Sequence, residues 1–397
     1  MDDLLQACTE FLQRLIQTPS MPGEEGALAR LVVDEMQKLG YDEVRVDEAG
    51  NVIGKITGKQ RQPALMFATH LDHVDVGKEE DWPYPPFSGT LAQGRIWGRG
   101  AVDIKGPLAA QVYGVAQIVR DNQPPETDVY VVATVQEEIG GVGARHLLTH
   151  LRPPLVIVGE PSRNELRHGH RGRMEYVVHI RGKSVHASVP EKGVNPLDVL
   201  ARFLLKREAF PAGENPHLGR TTLAPTLIRT DQQSANVIPG ALWQTIDCRY
   251  VPEQTPQDIA AILDGFLEDS LIPGASVRLH VPRYPRRTYT GLEMEIPADN
   301  PPYLLPPEHP LLRAAVQVME TLQGHPPRVG IWQFATDGGH FARAGLKVVG
   351  IGPGDEGLAH TVHESLALEE LEQALRINEA LARHLVLAYE ALRRGGT

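Results

Sequence analysis

At 397 residues the chain is longer than one hydrophobic core ordinarily supports, so two domains are expected. Its 39 Lys plus Arg against 50 Asp plus Glu leave a net charge of -11, which repels phosphate backbones and anionic bilayers and argues against nucleic-acid or membrane partners. Cys8 and Cys248 alone cannot build a disulfide framework or a thiolate zinc site; the acidic Met1-Asp2-Asp3 start lacks a secretory leader's positive charge, no apolar run reaches membrane-spanning length, and a cytoplasmic location is the expectation.

Leu4, Leu5, Cys8, Phe11, Leu12, Leu15 and Ile16 recur at helical spacing and predict an amphipathic helix that stops before Pro19. A second helix is expected from about Glu25 to Leu39, with Gly40 as its stop, followed by two short strands around Asn51. Residues 64–69 are all apolar or small, read as a buried strand, and end in His70-Leu71-Asp72. In an open parallel sheet that carboxyl end is where ligands bind. A carboxylate two residues beyond a histidine can hold the second ring nitrogen and set its tautomer. A proline-rich loop over 79–87 and a hairpin turning at Gly94 lead to Asp103, just ahead of a helix expected to start at Pro107.

Three more strand-like runs hand over ionisable residues. Residues 129–135 end in Glu137-Glu138, residues 155–159 in Glu160-Pro161, and residues 347–351 lead through Gly352-Pro353-Gly354 to His360. If the sheet is parallel, His70, Asp72, Asp103, Glu137, Glu138, Glu160 and His360 collect at one edge. Two imidazoles with several carboxylates and no cysteine suit a pair of divalent ions such as Zn²⁺, Co²⁺ or Mn²⁺. Adjacent Glu137 and Glu138 point different ways, so one can bind metal while the other faces water, and the chemistry implied is hydrolysis.

Between 173 and 283 the pattern becomes strand, helix, strand, strand, helix, strand, a βαββαβ order that closes as a ferredoxin-like insert. The expected organisation is therefore a discontinuous α/β domain over 1–172 and 284–397, with a mostly parallel sheet between helices, and an inserted α+β domain over 173–283.

The motifs His70-Leu71-Asp72, Gly98-Arg99-Gly100-Ala101-Val102-Asp103, Gln136-Glu137-Glu138-Ile139-Gly140-Gly141, Gly159-Glu160-Pro161 and Ala359-His360-Thr361-Val362-His363-Glu364 resemble, in order, those of the dinuclear-zinc amidohydrolases and exopeptidases, the family of acetylornithine deacetylase, succinyl-diaminopimelate desuccinylase, aminoacylase and carboxypeptidase G. The resemblance implies a zinc-exopeptidase-like fold with a lid that dimerises. It implies that Asp103 bridges two ions, with His70 and Glu160 completing one and Glu138 and His360 the other. Asp72 would orient His70, and Glu137 would serve as general base and then general acid. In the insert, His186 would stabilise the oxyanion, while Asn236 and Arg249 would hold a substrate carboxylate. Gly352 and Gly354 are further substrate-binding candidates. The implied substrate is an N-acyl amino acid or short peptide with a free carboxylate, cleaved by a deacylase or by a dipeptidase or carboxypeptidase; the alternative is a non-catalytic, metal-stabilised binding module.

His73 reads as a hydrogen-bonded loop histidine, and the resemblance favours His360 over His363, since the family motif places a Glu four residues after its ligand and Glu364 stands there. The basic run His168 to Arg173 reads as a hinge with solvated charges, and Cys248 as a small buried side chain.

Overall fold

Leu65 to Ala68 lie within the strand Pro63–His70 and point alternately to its two faces. Leu65 and Phe67 join one core with the helices Asp2–Ile16, Gly26–Lys38, Lys105–Arg120, Pro310–Gln323 and Leu368–Arg394. Met66 and Ala68 join another with Val142–Leu147 and Gly338–Arg343. A sheet covered on both faces needs apolar residues at every position, hence the unbroken apolar runs.

In this computed structural model, which describes residues 2–120 and 124–394, the nine-stranded sheet belongs to a unit of Met1–His170, Pro285–Met294 and Tyr303–Thr397. Its order is Glu43–Val46, Val52–Ile56, Asp128–Thr134, Pro63–His70, Leu155–Val158, Lys347–Gly350, Leu166–His170 and Tyr303–Leu304, with Val329–Trp332 also on Leu166–His170. The four strands Asp128–Thr134, Pro63–His70, Leu155–Val158 and Lys347–Gly350 are mutually parallel, so their carboxyl ends share one edge. The hairpin at Gly94 is present, and both turn residues, Gln93 and Gly94, have positive φ (55° and 71°), the twist a two-residue hairpin requires. Among the described residues no helix is long and apolar enough to cross a membrane.

The second unit, Arg171–Tyr284 with Glu295–Pro302, is a four-stranded antiparallel sheet ordered Thr222–Thr230, Ala241–Tyr250, Gly172–Arg181, Ser276–His280, plus the short Asp299–Asn300. Along Ala241–Tyr250 burial alternates strictly. Leu242, Ile246, Cys248 and Tyr250 face the helices Pro196–Lys206 and Pro256–Glu268, whose Val199, Phe203, Ile259 and Leu263 complete a separate core. Cys248 is fully buried there, and burial pushes its thiol up to about 12. Both helices begin on prolines preceded by capping side chains: Asn195 accepts the N–H of Leu197, and Thr255 forms a capping box with Asp258.

Three expectations are corrected. The helix after Asp103 begins at Lys105, placing Pro107 within its first turn, where a missing N–H costs nothing. Residues 295–302 return to the second unit rather than the first, because Asp299 and Asn300 pair with Met174 and Arg173 and the Tyr250 hydroxyl donates to Asp299. Finally, His168 and His170 are not hinge residues in solvent but lie buried in the strand Leu166–His170. His168 Nδ1 donates to the Leu305 carbonyl at 2.7 Å, and His170 Nε2 accepts the Thr336 N–H at 3.1 Å. A five-residue strand whose polar side chains are satisfied by distant backbone leaves no periodic signal.

Candidate metal centre

Three of the parallel strands carry the site. His70 closes Pro63–His70, Glu137 and Glu138 follow Asp128–Thr134, and Glu160 follows Leu155–Val158. Asp103 stands just before the helix Lys105–Arg120, and His360 lies in the loop after Lys347–Gly350. The fold converges these residues on Asp103. Its Oδ1 is 3.3 Å from His70 Nε2, and Glu160 Oε1 is 3.5 Å from the same nitrogen. Its Oδ2 is 3.1 Å from His360 Nε2, which is also 3.0 Å from Glu138 Oε1. Two ligand-type groups result, His70, Asp103 and Glu160, and Asp103, Glu138 and His360, sharing Asp103 through different oxygens. His363 is in neither group, and His73 is buried with its ring on backbone partners, the Ser20 N–H and the Val74 carbonyl.

Two carboxylates hold the backbone beneath these groups. Asp72, fully buried, accepts the N–H groups of Glu137 at 3.0 Å and Glu138 at 3.1 Å, one on each oxygen. It meets His70 chiefly through its own carbonyl, 3.0 Å from Nδ1, with the carboxylate at 3.4 Å. Nδ1 thus carries a proton, which would leave Nε2 as the ligating nitrogen for an ion shared with Asp103 and Glu160. Glu364, also fully buried, accepts the N–H groups of Val102 and Asp103 at 3.0 and 2.9 Å and pairs with Arg99 at 2.6 Å. Glu25 adds a third such contact, accepting the Gln136 N–H at 3.2 Å. Gln136 and His360 both adopt left-handed backbone, φ 54° and 62°, an uncommon conformation that their surroundings must enforce.

Four carboxylates, Asp103, Glu137, Glu138 and Glu160, are packed here with two imidazoles, and the electrostatics record the mismatch. Burial raises Glu137 well above its ordinary value, with Asp337, Glu160 and Glu138 adding to it and His70 opposing. Burial likewise pushes Glu160 up to about 8. Burial would lower His70, yet Asp103, Asp72 and Glu160 hold it well above the usual range, and hydrogen bonds to Asp103 and Glu138 carry His360 up to about 10. The cluster draws positive charge to itself, and Asp103 Oδ1 is buried with no hydrogen-bond partner. Oxygen and imidazole donors in this excess fit divalent ions with N and O preference.

Asp337, which no sequence spacing singled out, lies beside the same strand end. It is buried, its Oδ2 accepts the Thr134 hydroxyl at 2.8 Å, and burial pushes it up to about 6. The backbone of Gly352 is committed to Ser162 and Asn164, and that of Gly354 to Glu370 and Arg163, so both N–H groups are used within the protein. At Gly352 the space is tight, since a Cβ would lie 2.5 Å from the Glu160 carbonyl oxygen.

In the second unit, His186 and Asn236 are neighbours. Val185–His186 pairs with Val237–Ile238, and the Ala187 N–H donates to the Asn236 carbonyl at 2.8 Å. His186 is exposed, and its Nδ1 accepts the Ser188 N–H at 3.2 Å beside the Ser188 hydroxyl at 2.7 Å, which leaves the ring proton on Nε2. Arg249 lies on the sheet face away from the helices, its Nε on Asp247 at 2.7 Å, and Arg173 shares that carboxylate.

The peptidase family M20/M25/M40 model matches residues 66–384. The uncharacterized protein YgeY of Escherichia coli strain K12 is 30% identical over 363 residues, covering 90% of this chain and 89% of that one. Succinyl-diaminopimelate desuccinylase of Alkalilimnicola ehrlichii is 27% identical over 392 residues, 95% and 98% of the two chains. Among solved structures, Bacillus subtilis YXEP, described as a dinuclear metal binding peptidase from the M20 family, superposes with a TM-score of 0.72 over 98% of this chain and 99% of that one, at 14% identity. The chain belongs to the M20/M25/M40 peptidase family and is a metallo-hydrolase of amide or peptide bonds.

Because Glu364 fixes the Asp103 loop from below, Glu364→Ala should cost about 3–5 kcal/mol, as loss of one partner of a buried pair does, and lower metal content at a fixed free-ion concentration. Glu364→Gln, which keeps an acceptor oxygen, should lose less of both. Denaturant unfolding and elemental analysis of the two variants check this, and equal metal content in Glu364→Ala and the parent would remove the positioning role.

Proposed function

We propose that the protein hydrolyses the amide bond of an N-acyl amino acid or short peptide bearing a free carboxylate, and that two ions sit on the paired groups. His70, Asp103 and Glu160 would hold one and Asp103, Glu138 and His360 the other, Zn²⁺ being favoured over Co²⁺ or Mn²⁺ by the mixed imidazole and carboxylate donors. The observation that carries this is Asp103 facing one histidine with each oxygen, the arrangement a bridging carboxylate needs. Ions so held would supply Lewis-acid polarisation of a carbonyl and a water made nucleophilic near neutral pH. Glu137, buried beside the groups, takes the proton from the attacking water and returns it to the departing nitrogen, so one carboxyl serves both halves of the reaction. Asp72 holds the Glu137 backbone and the His70 ring together. Asn236 and Arg249 would grip the substrate carboxylate, and Gly352 and Gly354 are further substrate-binding candidates.

A deacylase reading is supported by the likeness to succinyl-diaminopimelate desuccinylase; a dipeptidase or carboxypeptidase is the second reading, supported by the likeness to an M20 peptidase. Assaying acetylated and succinylated amino acids against dipeptides with each metal separates them. Glu137→Ala is the test of the mechanism. It should keep its ions and fold but lose about 10³-fold or more in kcat, the upper range for general acid-base catalysis. Chelation of the parent should abolish turnover and added metal restore it. Wild-type kcat in Glu137→Ala would take Glu137 out of the reaction.

We also propose a homodimer in which His186 of one subunit donates its Nε2–H to the oxyanion in the other's site. The Ser188 contacts support a ring held in the donating tautomer, and the edge strand Thr222–Thr230, with exposed Leu227 and Ile228, offers a surface to cover. Mixing inactive Glu137→Ala and His186→Ala chains should restore about a quarter of wild-type activity, since random exchange makes about half the dimers mixed, each with one complete site. No recovery after verified subunit exchange, or a fully active monomer, overturns it.

A further inference from the structure

The function uses the carboxyl edge of the sheet, yet another cluster of metal-ligating side chains stands elsewhere in the same unit. Asp47, His146 and His150 each present one ligand atom, and these lie within 4.8 Å of one another. His146 and His150 are four residues apart, at the end of the helix Val142–Leu147 and in the turn after it, with ring centroids 5.4 Å apart. Asp47 comes from the turn between Glu43–Val46 and Val52–Ile56.

The geometry points to a third divalent-ion site on Asp47, His146 and His150, suited to Zn²⁺ or a neighbouring transition ion and separate from the proposed catalytic pair. Asp47 is fixed before any ion arrives. Its Oδ1 accepts the N–H groups of Ala49, Gly50 and Asn51, each at 3.0 Å, and its Oδ2 accepts the Asn51 side-chain amide at 2.8 Å. The carboxylate is only 3% exposed, and its Oδ2 faces His150 Nε2 at 3.5 Å. Two ligand atoms each about 2.05 Å from a tetrahedral Zn²⁺ stand about 3.3 Å apart, so this separation is close to the coordinated one.

The His150 tautomer agrees. The Thr149 hydroxyl donates to the His146 carbonyl at 2.8 Å, so toward His150 Nδ1, 3.4 Å away, the Thr149 oxygen acts as acceptor. The ring proton then sits on Nδ1, and Nε2 turns a lone pair to Asp47. Three protein ligands of N and O type leave the remaining positions to water, a donor set open to exchange and selective for borderline ions over Mg²⁺ or Ca²⁺.

An ion here would tie Asp47 to the His146 turn around Asn51, whose side chain spans the same gap, donating to the Gly143 carbonyl and accepting the Val135 N–H, each at 3.0 Å. Val135 lies two residues before Glu137. Occupancy would therefore stiffen the segment that delivers the general base without touching the reacting atoms.

The test counts zinc. Metal-free wild-type and His150→Ala chains are equilibrated with zinc buffered in the micromolar range, and bound metal is measured by elemental analysis. Wild type should hold one equivalent more than His150→Ala, and direct titration should show that ion bound roughly 100-fold or more weakly in the variant, since loss of a ligand exceeds the usual cost of losing its hydrogen-bond partner. In an Asp103→Ala background, which removes the residue common to the proposed catalytic pair, one equivalent should persist and should vanish in Asp103→Ala/His150→Ala. Should Asp103→Ala fail to fold by circular dichroism, the comparison of wild type with His150→Ala, and of wild type with His146→Ala, decides alone. Equal zinc in wild type and both histidine variants overturns the third site. Failure of the dinuclear reading would instead appear as missing tight ions in wild type, with the one-equivalent difference intact.

Discussion

Two buried carboxylates, Asp72 and Glu364, set the backbone positions of three of the four carboxylates in the site. Each accepts two consecutive backbone N–H groups, Asp72 from Glu137 and Glu138 and Glu364 from Val102 and Asp103. Charge-assisted bonds of this kind are stronger than neutral ones, and pairs of them fix a peptide's orientation as well as its place. The side chains of Glu137, Glu138 and Asp103 therefore leave the backbone in directions set by groups that do not face a ligand. Arg99, stacked over Trp82 with 5.0 Å from its guanidinium carbon to the ring centroid, neutralises Glu364 so that the anchor itself does not add to the charge above it.

That charge is the central energetic problem. Like charges gathered away from water destabilise a fold unless something positive joins them. Burial holds Glu160 above its ordinary value, and neighbouring carboxylates hold His70 and His360 above theirs, so the cluster favours added positive charge. A divalent ion would supply that charge, and by binding only the folded arrangement it would add its binding free energy to stability. The left-handed backbone at Gln136 and His360 belongs to the same economy: local strain persists where surrounding bonds over-determine the geometry.

The second unit is built on a different principle. Its core is one-sided, with the helices on one face of an antiparallel sheet, and the opposite face carries Trp243 stacked on His179 at 4.8 Å, Arg249 and Arg173. His186 stands on a two-residue ribbon apart from that core, so its presentation depends on Ser188 and the Asn236 carbonyl rather than on packing.

The sequence by itself determined the long helices, the parallel strands and the βαββαβ insert, because burial on both faces, burial on one face and helical burial write different periods. It also determined the ligand-type residues at the strand ends: His70, Glu138 and Glu160 follow directly from where apolar runs stop. Only the tertiary structure decided that Asp103 offers one oxygen to each histidine and that Asp72 places its carboxylate on the Glu137 and Glu138 backbone more than on His70. Asp337, the buried strand at His168 and His170, and the Asp47, His146 and His150 cluster were equally invisible in the chain. Each depends on contacts between segments as many as 203 residues apart, as in the Thr134 to Asp337 bond, and a pairing of that kind has no period to read.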